Sequence, residues 1–241
     1  MILAAGLGTR LRPLTDHTPK PLVDVGGVPI LERVARRLIA AGTDRLVINT
    51  SHLGEQVEAY VRERGGFGVE VAFSPEPGGP LETGGGLWNA AALVRRDAPF
   101  FLHNADIVTG IDLRGLHAAH LAERPLATVA VMERPTSRHL LFDDAGLLGR
   151  SDAKKEIEIR VREPVGEIRK LAFAGVHVID PGILDRITER GAFSILDPYL
   201  RLAGEGERIL PVRVDGALWV DIGSHEQLAQ ARRLAEAGAL D

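Results

Sequence analysis

Leu3-Ala-Ala-Gly-Leu-Gly-Thr-Arg10 and, shortly after it, Pro19-Lys20-Pro21 decide the reading of this chain. An apolar run, Ile2 to Ala5, breaks at Gly6 and Gly8 and ends on a cation. Glycine lets the backbone take positive φ and approach a phosphate with no Cβ in the way, and Thr9 adds a hydroxyl. Leu3, Ala5, Gly6, Gly8, Thr9 and Arg10 are therefore expected to form a strand end and loop that wrap phosphate oxygens in N–H groups. Arg10 offers a forked donor that can follow charge onto phosphoryl oxygens, whereas Lys20, stiffened between two prolines, presents a single point charge. Two fixed cations beside a glycine turn suit a nucleoside triphosphate and phosphoryl transfer. Two other glycine motifs are excluded. Leu11 stands where a dinucleotide fingerprint needs its third glycine, and no Gly-Lys-Ser/Thr follows as in a P-loop.

Outward from this stretch, short apolar runs alternate with amphipathic ones, the pattern of crossovers between parallel strands. Ile2 to Ala5, Arg45 to Asn49, Val69 to Phe73, Pro99 to Asn104 and Ala127 to Met132 read as strands. Ile30, Leu31, Val34, Leu38 and Ala41 recur at helical spacing with Arg33, Arg36 and Arg37 opposite, and Gly42 ends that helix. Leu53 to Arg64 and Leu113 to Leu121 read as further helices. The expected fold is α/β, a Rossmann-like doubly wound mixed sheet whose ligands sit at the carboxyl ends of the strands. From Pro135 to Gly166 the chain turns polar and turn-rich, with a hairpin turn at Asp143-Asp144-Ala145-Gly146, and reads as a subregion or lid. Strand character returns at Leu171 to Ile179, Ile209 to Val214 and Leu218 to Val220, before a final helix with a capping box at Ser224 and Gln227. The expectation is one domain over 1–241, with 1–134 binding nucleotide and 135–241 supplying the partner side and the C-terminal helix. No internal repeat or hexapeptide array is present.

The 241 residues are 45% hydrophobic and 26% charged, enough for a substantial core in one large α/β domain. A formal charge of −4 argues against a nucleic-acid or anionic-membrane surface and for small partners. The absence of cysteine, of a long apolar run and of a charged-then-apolar leader makes a cytoplasmic enzyme the expectation. Arginine outnumbers lysine 25 to 4, so a lysine at position 20 points to a need for a compact charge there.

Gly6 to Thr15 followed by Pro19 to Leu22 resembles the signature of the sugar-1-phosphate nucleotidyltransferases, or nucleoside diphosphate sugar pyrophosphorylases, G-x-G-T-R-L-x-P-L-T with P-K-P-L. The resemblance implies a glycosyltransferase-A-like nucleotidyltransferase fold. It also implies transfer of a nucleoside monophosphate from an NTP to a sugar 1-phosphate with Mg²⁺ as cofactor, Arg10 and Lys20 being catalytic. Glu82-Thr83-Gly84-Gly85-Gly86 is similar to the family's L-G-T-A-G segment, which lines base and ribose. This variant is nearest to N-acetylmuramate 1-phosphate uridylyltransferase-like members, with mannose-1-phosphate guanylyltransferase-like members also close. UTP or GTP is the expected nucleotide.

The same resemblance assigns further residues. Asp106, at the end of Phe100-Phe101-Leu102-His103-Asn104-Ala105, and Asp221, in Trp219-Val220-Asp221-Ile222-Gly223, match the family's two metal-ligating aspartates. Hard carboxylate oxygens suit Mg²⁺, which commonly takes one or two protein carboxylates plus phosphate oxygens. Glu76 falls near a base-reading position; a carboxylate complements the paired donors of guanine and can also accept the single uracil N3–H. On the sugar-phosphate side, Lys20 is joined by Glu163, in a segment that loosely resembles E-K-P but lacks its lysine, and by Gly175 in Phe173-Ala174-Gly175. His52 and His103 are expected as polar lining at strand ends. Two rival readings follow. A nucleotide-sugar-dependent glycosyltransferase typically carries Asp-x-Asp, where this chain has Asn104-Ala105-Asp106; a non-catalytic regulatory subunit should have lost one of Arg10, Lys20, Asp106 or Asp221, all present here. The base, the sugar and the oligomeric state, a homo-oligomer included, stay open at this level.

Overall fold

The computed structural model describes residues 1–240. Its first part runs β1 (Ile2–Leu3), the small hairpin β2 (Asp24–Val25) and β3 (Val28–Pro29), α1 (Ile30–Ala40), β4 (Arg45–Thr50), α2 (Gly54–Glu63), β5 (Glu70–Pro75), α3 (Glu82–Asn89), β6 (Phe100–Asn104), β7 (Ile107–Thr109) and α4 (Leu113–Glu123). The second part runs β8 (Ala127–Met132), β9 (Arg138–Asp143), β10 (Gly146–Asp152), β11 (Ile157–Arg160), β12 (Arg169–Ile179), α5 (Leu196–Gly204), β13 (Ile209–Arg213), β14 (Trp219–Asp221) and α6 (His225–Glu236).

A ten-stranded mixed sheet carries the order β11-β10-β9-β12-β6-β1-β4-β5, with β8 pairing β12 and β13. Strands β6, β1, β4 and β5 are mutually parallel, as the alternation of apolar runs and amphipathic helices requires, and β12 joins β6 antiparallel. The alternation of strand side chains splits the core in two. Leu46 and Ile48 pack into a cluster with α1 residues such as Val34 and Leu38, while Val47 points into the cluster built on Leu87, Phe142 and Tyr199. Burying both faces explains why these strands read as continuous apolar runs. The parallel strands end on one side, with Asn49 and Asn104 level with Leu3, which is where the signature loop begins. Among the described residues no helix is long and apolar enough to cross a membrane.

Two expectations change. The first strand has only two residues, Ile2–Leu3, its central position being secured by pairing on both sides. The segment expected as a polar lid is instead the antiparallel set β9, β10 and β11. Its buried content is concentrated in Leu140-Leu141-Phe142 and Leu147-Leu148, runs too short to stand out among flanking charges. The turn at Asp143 to Gly146 does form: Gly146 takes φ +110° and the Asp143 carboxylate accepts the Ala145 N–H at 2.9 Å. At the other end, the Ser224 hydroxyl accepts the Gln227 N–H at 3.3 Å and caps α6.

Candidate active site

The loop after β1 is shaped by its own side chains. Gly8 takes φ +65°, and a Cβ there would lie 2.9 Å from Thr15 Cγ2 and 3.0 Å from Lys20 Cβ, so no larger residue fits. Thr15 returns its hydroxyl to the Gly8 carbonyl at 2.8 Å. Gly6 differs from the expectation, since it is not among the positive-φ glycines. A Cβ at Gly6 would meet no protein atom within 4 Å, so what this glycine keeps open is the cleft itself.

That cleft has a volume of about 500 Å³. Leu3, Ala5, Gly6, Gly8, Thr9, Arg10, Lys20, Glu82, Thr83 and Asp106 all line it, so most of the nucleotide residues expected from sequence are brought together. Lys20 Nζ donates to Asp106 Oδ2 at 2.5 Å, a pair whose lysine side chain is only 11% exposed. Asp221 arrives from the far end of the chain by backbone pairing. β14 runs antiparallel to β7, with Asp221 opposite Ile107, and the Ile222 N–H donates to the Asp106 carbonyl at 3.0 Å. The two aspartates are thereby held side by side, Asp106 in the cleft lining and Asp221 just outside it.

Asp221 Oδ1 is buried and has no hydrogen-bond partner. Burial, and then the neighbouring Asp106 charge, push its carboxyl above the usual carboxylate range, against the opposing pull of Lys20, the Gly223 backbone and Arg10. Gly223 completes the wall: a Cβ there would fall 2.5 Å from Arg10 Nη2 and 2.8 Å from Asp221 Oδ1. The glycine of the Trp219 motif therefore leaves room for an arginine and a carboxylate to lie together. This function is not legible in the sequence, because the contact spans the length of the chain.

The acceptor-side expectations divide. Gly175 takes φ +77° and lies against Asn104, whose Nδ2 would be 3.2 Å from an added Cβ; Asn104 lines the cleft. Glu163 is exposed and does not line it. Its neighbours Arg162 and Val165 are drawn to the buried Asp143, Arg162 through two hydrogen bonds of 2.7 and 2.6 Å and Val165 through its N–H at 2.7 Å. Sequence reasoning also misses Arg134, which lies over the Trp219 ring at 4.1 Å and donates to the Phe173 carbonyl at 3.1 Å. With Trp219 Nε1 on the Ala174 carbonyl at 2.8 Å, it holds the irregular stretch of β12 at Phe173 to Gly175, where the pairing with β8 shifts register.

Three expectations are corrected. Glu76 is neither in the cleft lining nor in a solvated loop: it is 3% exposed, and both carboxylate oxygens accept hydrogen bonds from within the protein. His103 is 1% exposed, with burial lowering its pKa to about 4, and His52 is exposed in the turn before α2. Neither lines the cleft. Gly84 and Gly85 serve packing rather than a ligand, since a Cβ on them would strike the Phe193 ring at 2.4 Å and the Gly191 carbonyl at 2.3 Å respectively.

Comparison with known proteins agrees with this geometry. The chain is 39% identical over 239 residues to an N-acetylmuramate alpha-1-phosphate uridylyltransferase of Neisseria meningitidis serogroup B, covering 98% of each chain. It is 37% identical over 245 residues to a protein of the same description from Caulobacter vibrioides, covering 98% of this chain and 97% of that one. Among solved structures, a UDP-glucose pyrophosphorylase from Acinetobacter baumanii shares the fold with a TM-score of 0.76 at 19% identity, over 96% of this chain and 90% of that one. The family model described as nucleotidyl transferase matches residues 1–238, and the chain belongs to that family.

Proposed function

We propose that this nucleotidyltransferase moves UMP from UTP to N-acetylmuramate 1-phosphate, giving the UDP-sugar and pyrophosphate, with Mg²⁺ as cofactor. In this reading the parallel strand ends of 1–134 hold the nucleotide, and 135–241 supplies the acceptor side. The observation that carries it is the convergence of Arg10 and Lys20 on Asp106, which lines the cleft, and on Asp221 beside it. The choice of base and sugar is supported by the two uridylyltransferase relatives, which are alike over nearly their whole length.

The donor set fits a divalent cation. Asp106 and Asp221 offer hard oxygens, and the buried, unpartnered Asp221 Oδ1 is an acceptor that the protein itself leaves unused. Bound there, Mg²⁺ supplies Lewis-acid charge to phosphate oxygens. The chain's own residues supply positioning and charge. Loop N–H groups between Gly6 and Thr9 cradle the triphosphate, and Lys20 and the exposed Arg10 neutralise the transferring and leaving groups. An oxygen of the acceptor phosphate forms a bond to the α-phosphorus as the bond from that phosphorus to the α,β-bridging oxygen breaks, and the electron pair departs with pyrophosphate. The reaction needs no protein nucleophile and no general base.

The test is kcat/KM for UTP, GTP, CTP and ATP against N-acetylmuramate, mannose and glucose 1-phosphates, read by pyrophosphate release. UTP with N-acetylmuramate 1-phosphate should lead by about 100-fold. A larger value for GTP, or for another sugar phosphate, would replace that part of the reading.

A further inference from the structure

Glu76, Asn49 and Gly86 form a buried clasp beneath the nucleotide cleft, and its bonding pattern dictates the chemical nature of each member. The Ala4 N–H, at the start of the signature loop, donates to Asn49 Oδ1 at 2.6 Å. A backbone N–H can only donate, so this contact fixes which end of the Asn49 amide faces Ala4 and turns Nδ2 the other way. Asn49 Nδ2 then donates to Glu76 Oε1 at 2.8 Å. From the opposite side, the Leu81 N–H donates to Glu76 Oε2 at 2.7 Å. Position 76 therefore faces two donors and must accept twice. A carboxylate does so, whereas an amide brings one NH₂ against a donor. Gly86 makes the room: a Cβ there would fall 2.7 Å from Asn49 Nδ2 and 2.9 Å from Glu76 Oε1.

The clasp ties together the two loops that flank the cleft. Ala4 leads into Gly6 to Arg10 on the phosphate side, and Leu81 leads into Glu82, which takes φ +60°, and Thr83 on the other side. Ala4 on one side and Glu82 and Thr83 on the other line the cleft, as does Asn49 between them. Glu76 and Asn49 are 3% and 2% exposed, so water cannot substitute cheaply for a missing partner.

We infer that Glu76 is a positioning residue: acting through Asn49 and Leu81, it sets the separation between the phosphate loop and the start of α3 at Leu81 to Thr83, and so the fit of the nucleoside triphosphate. The inference rests on the cleft being the nucleotide site. Glu76 touches no part of the nucleotide, so its effect is the same for every base.

The test uses the pattern itself. Glu76→Gln should raise KM for UTP about 10-fold, with a smaller change in kcat, and raise KM for the other triphosphates by the same factor so that their ranking is preserved. The double variant Asn49→Asp/Glu76→Gln rebuilds every bond with the roles exchanged. The carboxylate introduced at position 49 would accept from Ala4 and from the new amide NH₂ at position 76, while the oxygen of that amide would accept from Leu81. The double variant should recover most of the lost KM, although Asn49→Asp alone, which sets two acceptors face to face, should be as impaired as Glu76→Gln. Gly86→Ala should reproduce the KM rise from the other side of the clasp. Circular dichroism at the assay temperature verifies that each variant is folded. A changed ranking among triphosphates would make Glu76 a base-reading group, and an unchanged KM in folded Glu76→Gln, or a double variant no better than the worse single one, would overturn the clasp. Failure of the wild-type protein to bind any triphosphate would instead overturn the nucleotide site.

Discussion

The cleft and the antiparallel set β9 to β11 carry their carboxylates differently. Beside the cleft, Asp221, brought in by β14 through its separate pairing with β7, leaves a buried oxygen unpartnered. In the antiparallel set β9 to β11 the charges satisfy one another: Arg162 with Asp143, Lys170 and Arg160 with Glu158. An unsatisfied buried acceptor costs stability unless something else binds it, so the first pattern marks a site and the second a scaffold. The contrast separates residues whose loss should stop turnover from residues whose loss should only loosen the fold.

The largest effect should come where the two parts of the chain meet. Asp106→Asn and Asp221→Asn should each lower kcat by roughly 1000-fold while the thermal transition stays in place. Because Asp221 is a half-buried carboxylate with one buried, unused oxygen, its amide should fold at least as well as the native residue. Either variant keeping near wild-type turnover would remove that aspartate from the site and blunt the contrast.

Arg10→Ala comes next. Its guanidinium is exposed and close to Asp221 and Gly223, free to follow charge that develops only during transfer. We expect kcat to fall about 100-fold with little change in nucleotide affinity. An equal loss in affinity with kcat preserved would make Arg10 a binding residue and leave Lys20 alone in the transition state.

The scaffold should answer in stability. Arg162→Ala strands the fully buried Asp143 carboxylate, whose pKa Arg162 lowers to about 2. The Ala145 and Val165 N–H groups remain, so the cost should be about 2 to 3 kcal/mol, below that of a wholly unpaired buried charge. Denaturant titration reads this directly, with kcat expected to change little. A collapse of kcat at unchanged stability would move this hairpin into the active site.

Smallest in its effect on turnover is a change in β12, the strand joining the two halves, which should show instead in the pH dependence of stability. His177 is buried against Phe173 and Tyr199, and burial lowers its pKa to about 3. Since the ordinary value is about 6.5, the unfolded chain binds the extra proton first as pH falls. The stability from the neutral imidazole is thus complete above about pH 6.5 and is lost progressively toward pH 3, at up to about 1.4 kcal/mol per pH unit. His177→Phe should flatten the stability profile between about pH 6.5 and 4; a profile as steep as the native one would place the acid sensitivity elsewhere, His103 being the next candidate.

How far the sequence can be read follows the same division. The signature loop is legible because each of its residues has a local reason: Gly8 needs positive φ and space, Thr15 closes on it, and Lys20 sits between prolines. Asp221 is legible through its motif, but not its neighbourhood, which β7 and β14 create by pairing across the chain. Asn49 gives no signal, since a strand-ending asparagine is ordinary until Ala4 and Glu76 are seen on either side of it. Glu76 misleads for a related reason. Its place after β5 and before Glu82-Thr83-Gly84 suggests a group facing the base, while its burial is decided by Asn49 and by Leu81 folding back onto it. The strands β9 to β11 are obscured because their exposed faces are rich in charge, and only Leu140 to Phe142 and Leu147-Leu148 carry the core.

The most direct measurement is the stoichiometry of one reaction: purified protein, UTP, Mg²⁺ and N-acetylmuramate 1-phosphate, with the UDP-sugar and pyrophosphate quantified together by mass spectrometry and phosphorus NMR. One UDP-sugar is expected for each pyrophosphate, and no pyrophosphate when the acceptor is left out. Pyrophosphate released without acceptor, or no UDP-sugar when all components are present and the nucleotide is bound, would contradict the proposed reaction.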